Sequence, residues 1–203
     1  LADALPDAAV GAANGANTTA VFSGVDPATG RGYLYLETLG GGFGGRNDRD
    51  GTDGVQVHIT NTSNLPVEVI ETEYPLRVDS YGLIADSGGA GRYRGGMGIR
   101  RVIGPVGHDC IFNGAGERFR HRPWGIFGAD PGASGRFARI DNDGAEQPLD
   151  IKPAGVTLAA GDRIVVETPG AGGYGPPESR AADAIARDAA SGKFSPGYLR
   201  RYY

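Results

Sequence analysis

Glu37-Thr-Leu-Gly-Gly-Gly-Phe-Gly-Gly-Arg46 and Asp86-Ser-Gly-Gly-Ala-Gly-Arg-Tyr-Arg-Gly-Gly96 decide how this chain is read. A third cluster follows late, Pro169-Gly-Ala-Gly-Gly-Tyr-Gly-Pro-Pro177. Glycine collects where the backbone takes a positive φ or approaches another group closely. The clusters therefore read as tight, backbone-rich loops between strands. The residues around them bear this out as a pattern. Short apolar or alternating runs at 18–22, 33–37, 55–60, 67–71, 72–78, 81–85 and 97–103 predict strands. In 55–60, Val55, Val57 and Ile59 share one face, and Gln56, His58 and Thr60 the other. Pro75 limits the run 72–78 to an edge or a break.

Further strands are predicted at 108–113, 124–127, 136–140, 156–158 and 163–168, separated by turns such as Asn142-Asp-Gly144. After the third cluster the character changes. Residues 179–190 are Ala-rich with helical spacing, and Gly192 is a stop. Ser195-Pro196 caps a second short helix, with Arg200 and Arg201 at the end that favours cations. The expected fold is mainly β (α+β), many short strands with glycine-rich loops, in two parts: 1–177, and a helical tail at 178–203.

Composition sets the outer limits. The 203 residues include 36 Gly and 13 Pro, close to the level that suggests disorder, but 39% are hydrophobic and fall in strand-like runs. Net charge is −4, and the densest basic cluster, Arg118, Arg120, His121 and Arg122, is too short for a nucleic-acid stripe. No run is long and apolar enough to span a membrane, and no signal peptide is evident. One cysteine, Cys110, forbids an internal disulfide and fits a reducing, cytoplasmic setting. The first residue is Leu, so the chain is expected to begin partway through a longer product.

Three sets of residues could carry chemistry. His58 has Asn61 and Asn64 just beyond it, and is open between base, substrate hydrogen-bonder, metal ligand and a histidine satisfied by sheet-edge carbonyls. Glu37, Asp50 and Asp53 with His58 could bind a divalent cation, but Asp50-Gly51 and Asp53-Gly54 are equally turn dipeptides. Arg46, Arg92 and Arg94 flank the glycine clusters, as carboxylate clamps or as loop-pinning ion pairs. Neither early glycine cluster has the Gly-x-x-x-x-Gly-Lys-Ser/Thr of a phosphate loop, and no helix follows the Gly-x-Gly-x-x-Gly frames. Ser87 lacks a nucleophile elbow, and Cys110 reads as a core residue.

Six strings occurring in order point further. They are the two early glycine clusters, Asp53-Gly-Val-Gln-Val-His-Ile-Thr-Asn-Thr-Ser-Asn-Leu-Pro-Val-Glu68, Glu71-Thr-Glu-Tyr-Pro-Leu-Arg77, Pro123-Trp-Gly-Ile-Phe-Gly128 and Glu167-Thr-Pro-Gly-Ala-Gly-Gly-Tyr-Gly175. With them the chain resembles the C-terminal part of the hydantoinase B/5-oxoprolinase family. Gly45 stands where the family commonly has Ala, and Gly-Pro-Pro177 where it has Gly-Asp-Pro.

The resemblance implies a much longer subunit whose N-terminal part is missing here, working with a hydantoinase A-type partner that carries ATP and Mg. It implies ATP-dependent opening of a small cyclic amide, a lactam or hydantoin. The family also includes ketone carboxylases of the acetone and acetophenone type, and a purely structural interface module is a third reading. The divalent-metal ligands implied by the family belong to the missing N-terminal part, so no metal ligand is assigned here. Within the chain, His58 is the expected catalytic residue, with Arg46, Asn61, Asn64 and Arg94 near the site.

Overall fold

The computed structural model describes residues 2–203. In chain order it comprises β1 (Thr18–Val25), β2 (Gly32–Leu39), α1 (Val67–Glu73), β3 (Leu76–Leu83), β4 (Ile99–Pro105) and β5 (Cys110–Ala115). These are followed by β6 (Arg136–Ile140), β7 (Glu146–Pro148), β8 (Val156–Leu158), β9 (Arg163–Glu167), α2 (Ala182–Ser191) and α3 (Pro196–Tyr202). All pairings between these strands are antiparallel, in two sheets of order β2-β1-β5-β8 and β3-β4-β9-β6-β7. Alternation turns one face of each sheet inward. Phe22, Tyr35, Leu39, Phe112 and Leu158 from the first sheet meet Ile103, Phe137, Ile164 and Val166 from the second in one core. Edge-on aromatic contacts such as Phe112 with Phe137, 5.7 Å between centroids, tie the layers together.

The glycine clusters are not surface loops. Residues 40–45, 87–91 and 168–173 are almost wholly buried, and the third segment bonds backbone to backbone with the other two. Between the first and third clusters, and between the third and residues 130–133, the hydrogen bonds recur every third residue. Gly42 N–H donates to Pro169 O and Gly45 N–H to Gly172 O, at 3.0 and 2.9 Å. Gly170 N–H donates to Ala133 O and Gly173 N–H to Asp130 O, each at 3.1 Å. A period of three is that of polyproline II-like chains, whose backbones carry no internal hydrogen bonds and must find partners outside. Glycine is required because the segments touch backbone to backbone: a Cβ on Gly42 would lie 2.2 Å from Gly96 O.

Three predicted strands are corrected. Residues 67–71 form α1, despite their β-branched content, because Pro66 caps the start and Ile70 turns fully into the core while Glu68, Glu71 and Glu73 face water. Residues 55–60 pair only through Val55, which bridges to Gly41. The alternation then fails: Val57 is buried, Ile59 is 86% exposed, and His58 takes a φ of 58°. Residues 124–127 make one bridge, Ile126 to Tyr174, and then turn at Phe127, φ 53°. The predicted strand 72–78 begins only at Leu76, after Pro75. No strand was expected at β7.

The C-terminal helices are docked by charge. Arg180 clamps Asp50 through both terminal nitrogens at 2.7 and 2.8 Å and reaches Asp188 at 3.0 Å. Arg94 binds Asp53 at 2.9 Å and Asp188 at 3.3 Å, and Lys193 adds a bond to Asp53 at 2.6 Å. Three cations face three carboxylates, so the buried cluster is neutral. Gly192 ends α2 with φ 69°, and the Ser195 hydroxyl accepts from Tyr198 N–H at the start of α3. Among the described residues, no helix is long and apolar enough to cross a membrane.

Candidate functional site

Where the chain leaves the glycine core at Val55, it winds through an irregular segment to α1 and leaves a groove of about 490 Å³ beside β3. Gln56, Asn61, Thr62, Ser63, Asn64 and Tyr81 line it. A chain of neutral hydrogen bonds builds one wall. Asn17 donates to the Thr60 hydroxyl at 2.7 Å, and Thr60 donates to Gln56 Oε1 at 3.1 Å. Gln56 Nε2 donates to Thr38 O at 2.7 Å and lies 3.4 Å from Asn64 Oδ1. Asn64 Nδ2 in turn donates to the Tyr81 hydroxyl.

The loop is also pinned from beneath. Leu65 N–H donates to Glu37 Oε1 at 3.0 Å. Glu37 is paired with Arg101, which is 1% exposed and stacks 4.3 Å from the centre of the Tyr81 ring. Burial, and the Glu37 carboxylate beside it, hold the Tyr35 phenol far above its ordinary range. A second groove of about 300 Å³, between Tyr35, Glu37, Thr38 and Tyr74, shares Thr62 and Ser63 with the first. The side chains of Asn61, Thr62 and Ser63 make no hydrogen bond among the described residues, so their donors and acceptors face the solvent in the groove. The lining is rich in neutral amide and hydroxyl groups and carries no cation.

The structure therefore brings Asn61 and Asn64 together and leaves His58 on the exposed turn just before them. Arg46 and Arg94 do not line either groove. Arg46 stacks on Phe43 at 4.6 Å, and Arg94 is 7% exposed inside the ion-pair cluster. Gln56 and Tyr81 were not singled out from sequence. Gln56 shares the polar positions of its run with His58 and Thr60, which was the available signal; Tyr81 carried none, because its place depends on β3 packing beside a distant loop.

Other chemistries find no footing here. Ser87 is 1% exposed, donates to Ile84 O at 2.7 Å and accepts from Gly98 N–H at 3.0 Å, as a packing residue would. Cys110 is buried, and burial pushes its thiol up to about 11. Asp50 and Asp53 are spent on arginine and lysine, and no group of three His, Cys, Asp or Glu gathers among the described residues. In the first glycine cluster the Gly42, Phe43 and Gly45 N–H groups already bond to backbone carbonyls and are not free to cradle a phosphate.

Comparison with known proteins places these features in context. The hydantoinase B/oxoprolinase family model matches residues 1–177. An uncharacterised protein of Methanocaldococcus jannaschii is 44% identical over 190 residues, which cover 94% of this chain and 32% of that protein. 5-Oxoprolinase 1 of Arabidopsis thaliana is 37% identical over 70% of this chain and 11% of its own. The crystal structure of the ATP-dependent caprolactamase from Pseudomonas jessenii matches with a TM-score of 0.86 and 26% identity, over 98% of this chain and 36% of that one. Acetone carboxylase shares the fold, with a TM-score of 0.73 and 21% identity. The chain spans between 11% and 36% of the length of these relatives. It belongs to the hydantoinase B/oxoprolinase family.

Proposed function

We propose that this chain is one part of an ATP-dependent hydrolase that opens a cyclic amide, and that the Gln56–Asn64–Tyr81 groove holds the amide. The observation that carries the reading is the neutral, hydrogen-bonding lining of that groove in a family whose named members include 5-oxoprolinase and caprolactamase. The ring of a lactam presents one N–H and one C=O in fixed geometry, and that of a hydantoin two of each. Side-chain amides and hydroxyls supply both complements without the desolvation cost of a charge.

An unstrained amide is a poor electrophile. Phosphorylation of its oxygen by ATP activates the ring carbon to water. The ring C–N bond then breaks with the nitrogen leaving as the amine, and a second water hydrolyses the resulting acyl phosphate to the acid and inorganic phosphate. No group of three His, Cys, Asp or Glu gathers among the described residues, and the Gly42, Phe43 and Gly45 N–H groups are already bonded; the reading therefore places ATP and Mg on a hydantoinase A-type partner and any divalent metal in the remainder of the subunit. The chain's own residues then bind and orient. Asn61, Thr62 and Ser63 offer free hydrogen-bonding groups, while Gln56, Asn64 and Tyr81 fix the wall behind them. Loop 61–65 is tied to Glu37 and Tyr81, which holds these groups in place around the ring. The reading includes a cytoplasmic setting, consistent with one buried thiol.

The test is Asn61→Ala in the assembled enzyme. Its side chain supports no internal bond, so assembly should be unchanged while KM for the amide rises about fivefold, equivalent to one hydrogen bond of ~1 kcal/mol. Unchanged KM and kcat for Asn61→Ala and Thr62→Ala alike would remove the groove from substrate binding.

A further inference from the structure

The two sheets finish their outer faces differently. On the second sheet, Arg100, Glu167 and Arg136 are cross-strand neighbours, and Glu146 extends the row as a chain of ion pairs. The apolar residues on that face are covered: Val102, Ala138 and Val165 are 8%, 0% and 0% exposed. The first sheet has nothing comparable. Its four strands contain one charged residue, Glu37, and that side chain turns inward to Arg101. Outward stand Val21, Val25, Leu34, Leu36 and Ile111, with Leu34, Leu36 and Ile111 exposed by 62%, 57% and 45%.

Register makes these residues contiguous. Val21 lies opposite Leu36 on one side and Asn113 on the other; Ser23 lies between Leu34 and Ile111. The face also carries Thr19, Ser23, Thr38, Asn113 and Thr157 but no charge, and an uncharged face with exposed leucines and isoleucine ending in an open edge strand is what soluble proteins avoid leaving in water. The protein shows on its second sheet how it protects a solvated face, and it omits that protection on the first.

We infer that the outer face of the β2-β1-β5-β8 sheet is a buried interface, covered by a segment of the same subunit outside residues 1–203. The length of the relatives carries the choice of occupant. The same fold sits within a caprolactamase chain nearly three times as long, with a TM-score of 0.86, and the Methanocaldococcus relative is likewise about three times the length of the match. A subunit of that length has chain enough outside this third to cover the face. The face also runs around β2 into the second groove, where Leu36 and Thr38 stand beside Tyr74. The covering segment would therefore close that groove on its open side. The inference rests on chain length and surface chemistry, not on the amide reading above.

The experiment uses the full-length subunit in its native complex. A photoreactive p-benzoylphenylalanine replaces Leu36 or Ile111, and cross-linked peptides are identified by mass spectrometry. The expected result is cross-links from both positions to a peptide of the same polypeptide lying outside these 203 residues. Cross-links between isotopically distinct copies would assign the face to a second copy, and cross-links to another subunit would assign it to that partner; either overturns the inference. A second measurement does not depend on the bulky probe. Leu36→Cys should react with maleimide at least tenfold more slowly than Asp143→Cys, which lies in an exposed turn, with Cys110 silent by burial. Equal rates would show the face open to solvent and overturn the inference.

Discussion

Gly42→Ala tests the claim that the glycine clusters form a packed backbone core. The added methyl would sit 2.2 Å from Gly96 O and 2.7 Å from both Ala171 N and Gly170 C. A carbon–oxygen contact needs roughly 3.3 Å, so a backbone segment must move by about 1 Å. None of the obstructing atoms belongs to a flexible side chain. Two hydrogen bonds lie in the path, Ala171 N–H to Gly96 O at 3.0 Å and Gly42 N–H to Pro169 O at 3.0 Å. Overpacking of this kind costs about 1–3 kcal/mol, and each weakened bond adds about 0.5–1.5 kcal/mol. A central value of about 4 kcal/mol lowers Tm by roughly 8–16 °C in a domain of this size. Gly82→Ala is the matched control: it lies in β3 with no atom within 4 Å of the new Cβ. Removing a strand glycine there should stabilise by about 0.5 kcal/mol. Thermal melts followed by circular dichroism read both. A Gly42→Ala protein melting within roughly 2 °C of the parent, a loss of about 1 kcal/mol or less, would refute the packed-core reasoning.

Asp53→Asn takes the carboxylate from Lys193 and one from Arg94, which keeps Asp188, and should cost about 3 kcal/mol in urea titration, with α2 and α3 exchanging amide hydrogens faster. The same cluster sets an acid limit. Burial pushes Asp50 and Asp53 up, but Arg180 and Arg94, with Lys193, outweigh it and hold both below the ordinary 3.8. Unfolding thus takes up protons first, so the stabilisation is complete above about pH 5 and drains away as pH falls through the depressed folded values; the urea midpoint should be flat from neutrality to about pH 5 and fall steeply below about pH 4, and less steeply in Asp50→Asn with Asp53→Asn. For the core pair, Glu37→Gln or Arg101→Met alone should each cost about 3 kcal/mol, and both together clearly less than the sum, as a double-mutant cycle would report.

Local rules made much of this fold legible. β6 and β8 lie where short apolar runs meet turn residues, and the Ser195-Pro196 cap and Gly192 stop mark the two helices of the tail. Legibility failed where distant partners decide. Val67, Val69 and Ile70 favour strand on propensity, yet one buried side chain and a capping proline make a helix. The run 55–60 has strand alternation, but its neighbours are glycine backbone and a polar loop, and His58 turns it. The glycine clusters looked like loops because flexibility and close packing call for the same residue; only the hydrogen-bond period of three separates them. At the site, Asn61 and Asn64 were within reach of sequence because they neighbour each other, whereas Tyr81 enters from another strand.

The most direct test of the central claim is ATP turnover by the native complex, with every co-purifying chain identified by mass spectrometry. Phosphate release is followed with and without a panel of cyclic amides such as hydantoin, 5-oxoproline and caprolactam, alongside ring opening. The expected result is ATP hydrolysis that depends on one of these amides and is coupled to opening of its ring. ATP hydrolysis indifferent to every amide, or stimulated instead by a ketone with bicarbonate, would contradict it.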